Sequence, residues 1–130
     1  EDGSLEAMKK FADMRFSGDG IGIDKDEACA FYRLAADNGH LPSMTVYARL
    51  LYYGNEIERN KELAAYYYRL AADSGDTNSM LTYANMNANG DGIAINKKEA
   101  EKYYRIASNQ DDLYSNEIYQ KITKYTKFSL

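Results

Sequence analysis

The chain has a single cysteine, Cys29, a single histidine, His40, and a single proline, Pro42. One cysteine closes no disulfide within the chain, and one cysteine with one histidine assembles no Cys/His metal cluster. No stretch approaches the roughly 18 consecutive apolar residues that a membrane-crossing helix needs, so no membrane insertion is expected. Basic excess is also missing: 16 lysines and arginines face 20 acids, interleaved along 130 residues for a net charge of −4. Without a basic stripe to neutralise phosphates, nucleic acid is not an expected partner. The chain begins at Glu1 with no methionine and no charged-then-apolar leader pattern, so a processed piece of a longer protein is expected.

What is abundant is apolar and aromatic surface, at 45% and 13% of residues, enough to bury a core in one folded domain, 1–130. That surface is distributed as an internal repeat. Phe31-Tyr32-Arg33-Leu34-Ala35-Ala36-Asp37-Asn38-Gly39 returns 36 residues later as Tyr67-Tyr68-Arg69-Leu70-Ala71-Ala72-Asp73-Ser74-Gly75 and, decayed, as Tyr103-Tyr104-Arg105-Ile106-Ala107-Ser108-Asn109. The same register holds Met8, Met44 and Met80, Ala12, Ala48 and Ala84, and Gly18, Gly54 and Gly90. A fixed period of this length marks a repeat architecture in which each unit buries its apolar face against the next.

Each repeat divides into two helices. Ala28, Phe31, Tyr32 and Ala35 form the i, i+3, i+4, i+7 stripe of an amphipathic helix. Asp24, replaced by Asn60 and Asn96 in the later copies, is an N-cap, and Gly39 is a left-handed C-terminal stop. A first helix carries Met8, Phe11, Ala12 and Met14 and ends at Gly18; its second copy opens near Pro42, where the missing N–H is tolerated. The glycine-rich link Gly18-Asp19-Gly20-Ile21-Gly22-Ile23 joins the two, and its recurrent isoleucine (Ile21, Ile57, Ile93) is expected to tuck between helices. Alanines 35, 36, 71 and 72 allow close helix approach.

These residues resemble the Sel-one-like repeat (SLR) family, relatives of the tetratricopeptide repeats. The resemblance is carried by Ala7, Phe11 and Ala12, by Gly18, Gly20 and Ile21, by Asp24, and by Ala28, Phe31, Tyr32, Ala35, Ala36 and Gly39. It implies an all-α, right-handed α/α solenoid of three helix-turn-helix repeats, at 3–38, 39–74 and 75–110, plus a C-terminal capping helix over 111–130. It also implies an adaptor that assembles protein complexes. Some members with a disulfide in every repeat are linked to β-lactam binding or hydrolysis, and Cys29 alone cannot supply those bridges. In the last helix, Tyr114, Ile118, Tyr119, Ile122 and Tyr125 form one apolar face, expected to close the array. At the other end, Glu1-Asp2 align with the tail of a preceding second helix, so Leu5 and Met8 are expected to need a cover, from upstream repeats or from self-association.

No catalytic constellation emerges. Cys29 and His40 read as a packed helix residue and a turn or cap residue, with no third group to orient them. The Gly18-x-Gly20-x-Gly22 run lacks the strand of a dinucleotide loop. A calcium loop counted from Asp19 would place Ile21 and Ile23 where oxygens are required. No cofactor, metal or catalytic residue is expected, and the chain is read as not an enzyme. Most of the thirteen tyrosines occupy repeated interior positions. Binding is sought instead where the repeats disagree: along one side of the first helices, at Lys9, Asp13 and Phe16, at Thr45, Arg49 and Tyr52 with Tyr53, and at Leu81 and Asn85. These residues are expected to line a concave groove for a peptide or partner helix. The alternatives are a structural self-assembly spacer and, further off, a small-molecule-binding or hydrolytic enzyme.

Overall fold

A computed structural model of the chain describes residues 2–18, 20–109 and 120–124. Among the described residues, two-helix units run in order through α1 (Asp2–Ser17), α2 (Lys25–Asp37), α3 (Leu41–Tyr53), α4 (Lys61–Asp73), α5 (Thr77–Asn89) and α6 (Lys97–Ser108). Every described element is helical, as the repeat pattern demands. The capping helix expected over 111–130 lies outside the described residues except for 120–124, which are helical.

The helix ends fall where short-range chemistry puts them. Asp24 accepts from the backbone N–H of Glu27 at 3.0 Å, Asn60 from Leu63 at 3.0 Å and Asn96 from Glu99 at 3.0 Å. Each cap satisfies one N–H that has no partner inside its own helix. Asp76 performs the same task for α5, accepting from both the N–H and the hydroxyl of Ser79. His40 stands at the N-cap of α3, with Nδ1 2.7 Å from the Ser43 hydroxyl and Nε2 2.9 Å from Glu6 Oε1, which gives it a local structural task.

One backbone bond recurs at the same register in all three repeats and closes each link onto the first helix. Asp24 N donates to Arg15 O at 2.8 Å, Asn60 N to Leu51 O at 2.9 Å, and Asn96 N to Asn87 O at 2.8 Å. Because the donor is the capping residue, this bond also sets where the second helix starts. The recurrent isoleucines of the link, Ile21, Ile57 and Ile93, are half-buried.

Packing divides the chain into two compact units, Glu1–Leu70 and Ala71–Leu130. In the first, α1 packs on α2 and α2 on α3, around Ala12, Ala28, Tyr32, Ala35, Met44, Ala48 and Tyr67. In the second, α5 packs on α6 around Met80, Ala84, Met86, Ala100, Tyr103 and Tyr104. Alanine recurs at the closest approaches because its single methyl lets backbones meet without overpacking. An edge-to-face aromatic pair recurs at the same register between the two helices of each repeat, Phe11 with Phe31, Tyr47 with Tyr67 and Tyr83 with Tyr103, all with ring centroids 5.0 Å apart. Such pairs add roughly 0.5–1.5 kcal/mol beyond the area they bury.

Candidate functional site

Four tyrosines of the second helices, Tyr32, Tyr67, Tyr103 and Tyr104, are held by hydroxyl bonds as well as by packing. Tyr67 donates to Asp37 at 2.7 Å and, in the other unit, Tyr103 donates to Asp73 at 2.7 Å. Both bonds reach back from one repeat to the end of the previous second helix. A second set ties the first and third repeats together internally: Tyr32 donates to Asp13 and Tyr104 to Asn85, each across 19 positions.

Burial raises the Tyr104 hydroxyl to about 12, and burial together with the Asp13 carboxylate raises that of Tyr32. An unfolded tyrosine ionises near about pH 10. A raised native value means that the folded state holds the proton more tightly, so this stability is complete below about pH 10 and is lost as pH climbs through the native values. Helical circular dichroism is expected to collapse in the same alkaline window in which the buried tyrosines ionise. Ionisation of all thirteen tyrosines near pH 10 with helicity intact would contradict their burial.

The first-helix stripe proposed from the sequence separates into engaged and unengaged residues. Lys9 pairs with Asp13 at 3.0 Å, and Asp13 also accepts the hydrogen bond of the Tyr32 hydroxyl. Phe16 is half-buried, its ring 6.4 Å from that of Tyr32 and 5.4 Å from the Lys25 ammonium. Thr45 donates to the Pro42 carbonyl at 3.0 Å. Tyr52 is half-buried, stacked edge-on between Tyr53 at 5.0 Å and Tyr68 at 6.3 Å, with the Lys61 ammonium 4.8 Å from its ring. Tyr53 is 59% exposed, and Arg49 is exposed with no ion-pair partner among the described residues. In the second unit Asn85 is exposed and occupied by Tyr104, whereas Leu81 is only 7% exposed. Leu81 is thus a core residue rather than a displayed one: a leucine at this helix position gains more from burial than from contact with water.

The structure adds a cleft that the first-helix reading passed over. Arg33 and Asp37 of α2 face Leu63, Tyr66, Tyr67 and Leu70 of α4 across a volume of about 390 Å³, with Tyr66 53% exposed. Leu63 stands where the other repeats have Glu27 and Glu99, and Tyr66 where they have Ala30 and Lys102. Comparing the repeats along their second helices, as was done along the first, would have found both.

Other candidate chemistry stays dispersed. The Cys29 thiol is pushed up by burial and by the nearby Asp26 carboxylate, away from the thiolate a nucleophile needs. Among the described residues, no three His, Cys, Asp or Glu side chains gather as a metal site, and no helix is long and apolar enough to cross a membrane.

Tandem helical hairpins, capped alike and closed by the same backbone bond, define a helical-repeat protein of the α/α solenoid class. The chain belongs to the Sel1 repeat family, whose pattern matches residues 5–40, 41–76 and 78–112. Proteins built of these repeats are generally protein-interaction scaffolds. Among solved structures, a protective antigen of uropathogenic Escherichia coli with an SLR fold is 26% identical, with a TM-score of 0.75 over 85% of this chain. The chain spans only 24% of that antigen's length. A Sel1 repeat protein from Oxalobacter formigenes is 22% identical, with a TM-score of 0.77 over 92% of this chain and 90% of its own. Cysteine-rich protein B of Helicobacter pylori is 17% identical, with a TM-score of 0.67 over 88% of this chain and 91% of its own. At these identities the last two show the fold alone. No curated protein matches the chain.

Proposed function

We propose that this chain is a non-enzymatic interaction scaffold that binds a peptide or partner helix on the first-helix face of its N-terminal unit, with Arg49 and Tyr53 as anchors. The observation that carries this reading is that both side chains are exposed: the Tyr53 ring stands edge-on to Tyr52, and Arg49 has no ion-pair partner among the described residues. Tyrosine and arginine are the side chains that most often dominate binding energy at interfaces. Tyr52 backs the pair from a half-buried position, and Lys9, Asp13, Phe16 and Thr45 serve as its structural surround.

The test uses peptides selected from a displayed random library on the immobilised chain. Arg49→Ala/Tyr53→Ala should weaken the selected peptides by roughly tenfold or more with unchanged helicity. Peptides that bind the double variant as tightly as the parent would discard this face.

A second reading, self-association through α1, is favoured by one comparison. Phe11 is 38% exposed and Met14 39%, whereas Tyr47 and Tyr83, at the position of Phe11 in the later repeats, are 7% and 8% exposed. Sedimentation of the parent and of Phe11→Lys/Met14→Lys decides it: a parent dimer that the variant dissolves supports association, and two monomers end it.

A further inference from the structure

The middle repeat breaks the hydroxyl pairing that the other two make. Tyr32 donates a hydrogen bond to Asp13 and Tyr104 donates one to Asn85, each 19 positions away. For Tyr68 that position is Arg49, since 68 − 19 = 49. A guanidinium carries five N–H donors and no acceptor, so it cannot accept a hydrogen bond from the Tyr68 hydroxyl. Tyr68 is nevertheless only 8% exposed, and it makes no hydrogen bond among the described residues. A polar group on so buried a side chain, without an acceptor from the protein, is uncommon, and an acceptor from outside the chain, water or ligand, meets its need.

The groups around that hydroxyl are donors too. Electrostatically, Tyr68 feels the Tyr53 hydroxyl and the Arg49 guanidinium. Tyr52 lies edge-on to both rings, 5.0 Å from Tyr53 and 6.3 Å from Tyr68, and so joins the two in one cluster. Two phenol O–H groups and one unpaired guanidinium, with no acid among them, make a site that lacks an acceptor carrying negative charge. A carboxylate supplies it: its two oxygens have about four lone-pair sites, and its plane matches the guanidinium fork.

We propose that Arg49, Tyr68 and Tyr53 form a carboxylate-binding site that recognises an acidic group of the bound peptide. This rests on the interaction face described above and gives that face its chemistry. Replacement of the acceptor by arginine in one repeat turns an internal structural bond into an outward-facing specificity element. The exposed Tyr53 ring supplies an apolar edge for the residue next to the acid.

The test titrates the intact chain, with arginine and tyrosine isotopically labelled, with three small probes while resonance shifts are followed. N-acetylglutamate α-amide presents a side-chain carboxylate, N-acetylphenylalanine a terminal one, and N-acetylphenylalaninamide none. Saturable shifts at Arg49 Nε–H and the Tyr68 ring are expected from at least one acid and not from the amide. A response to the glutamate probe alone assigns an acidic side chain, and a response to the phenylalanine acid alone assigns a chain terminus. Arg49→Gln and Tyr68→Phe should each weaken the responding probe by roughly tenfold. Without ligand, Tyr68→Phe should melt at or above the parent temperature, whereas Tyr32→Phe should melt lower.

Silence from both acids, equal shifts from the amide, or a Tyr68→Phe melt lowered as far as that of Tyr32→Phe overturns the site. If the acids fail while selected peptides still require Arg49 and Tyr53, the interaction face stands and only its acidic chemistry is lost. If the peptides ignore Arg49 and Tyr53, the face itself falls.

Discussion

Replacing Tyr67 by alanine is expected to destabilise the N-terminal unit by about 3–5 kcal/mol, while replacing it by phenylalanine costs only about 1 kcal/mol. The difference follows from what each variant removes. Tyr67 is 1% exposed, its ring stands edge-on to Tyr47 at 5.0 Å, and its hydroxyl donates to Asp37 at 2.7 Å. Alanine deletes the ring and leaves a cavity where it packed on Tyr47. Phenylalanine keeps the ring and loses one hydrogen bond. Asp37 then remains exposed to water, with the Arg33 guanidinium 3.8 Å away, so no buried charge is stranded. Domains are stable by about 5–15 kcal/mol in total, so the alanine variant should be partly unfolded at modest urea concentrations. Urea titration followed by circular dichroism checks this. Equal losses for the two variants would show that the hydroxyl, not the ring, carries the position.

Gly54→Ala is the second large effect, expected at roughly 2–5 kcal/mol, well beyond the about 1–2 kcal/mol of Gly39→Ala. Both glycines have positive φ, +66° at Gly54 and +96° at Gly39, so both substitutions meet the left-handed penalty. They differ in the space available. A Cβ on Gly39 meets nothing within 4 Å, whereas one on Gly54 would stand 2.3 Å from Arg59 Cβ and 2.8 Å from its Cα. A side chain can swing aside; a backbone atom beside Asn60 cannot, because Asn60 donates to Leu51 O and caps α4. Relief of the clash would therefore open the link and loosen the start of α4. The same residue follows Tyr53, so the variant should also lose affinity for peptides chosen on the parent. Thermal midpoints of the two glycine variants that fall together would refute the steric account.

Much of the fold was legible in the sequence because its signals are local. Asp24, Asn60 and Asn96 cap the helices read from their spacing, since a cap needs only a backbone N–H three residues away. The stripes of alanine and tyrosine in the second helices are buried because a 36-residue period leaves each helix the same neighbours. The site was legible only in part. The rule of seeking residues at which the repeats disagree put forward Arg49 and Tyr53, which are exposed, yet it also admitted Leu81, which is packed, because leucine reads alike in either place. Applied to first helices alone, it missed Leu63 and Tyr66.

By itself, then, the amino-acid order determined the helices, their caps, the glycine links and the family, all of which follow from contacts a few residues apart or from the period. Only tertiary structure decided which polar groups were spent. The Tyr32 and Tyr104 hydroxyls meet acceptors 19 positions away, whereas the residue 19 positions before Tyr68 is Arg49, a donor, and Tyr68 makes no hydrogen bond among the described residues. Hydrogen-bond satisfaction depends on where two helices bring their side chains together in space, and a repeat period places residues on faces without saying which of them find partners.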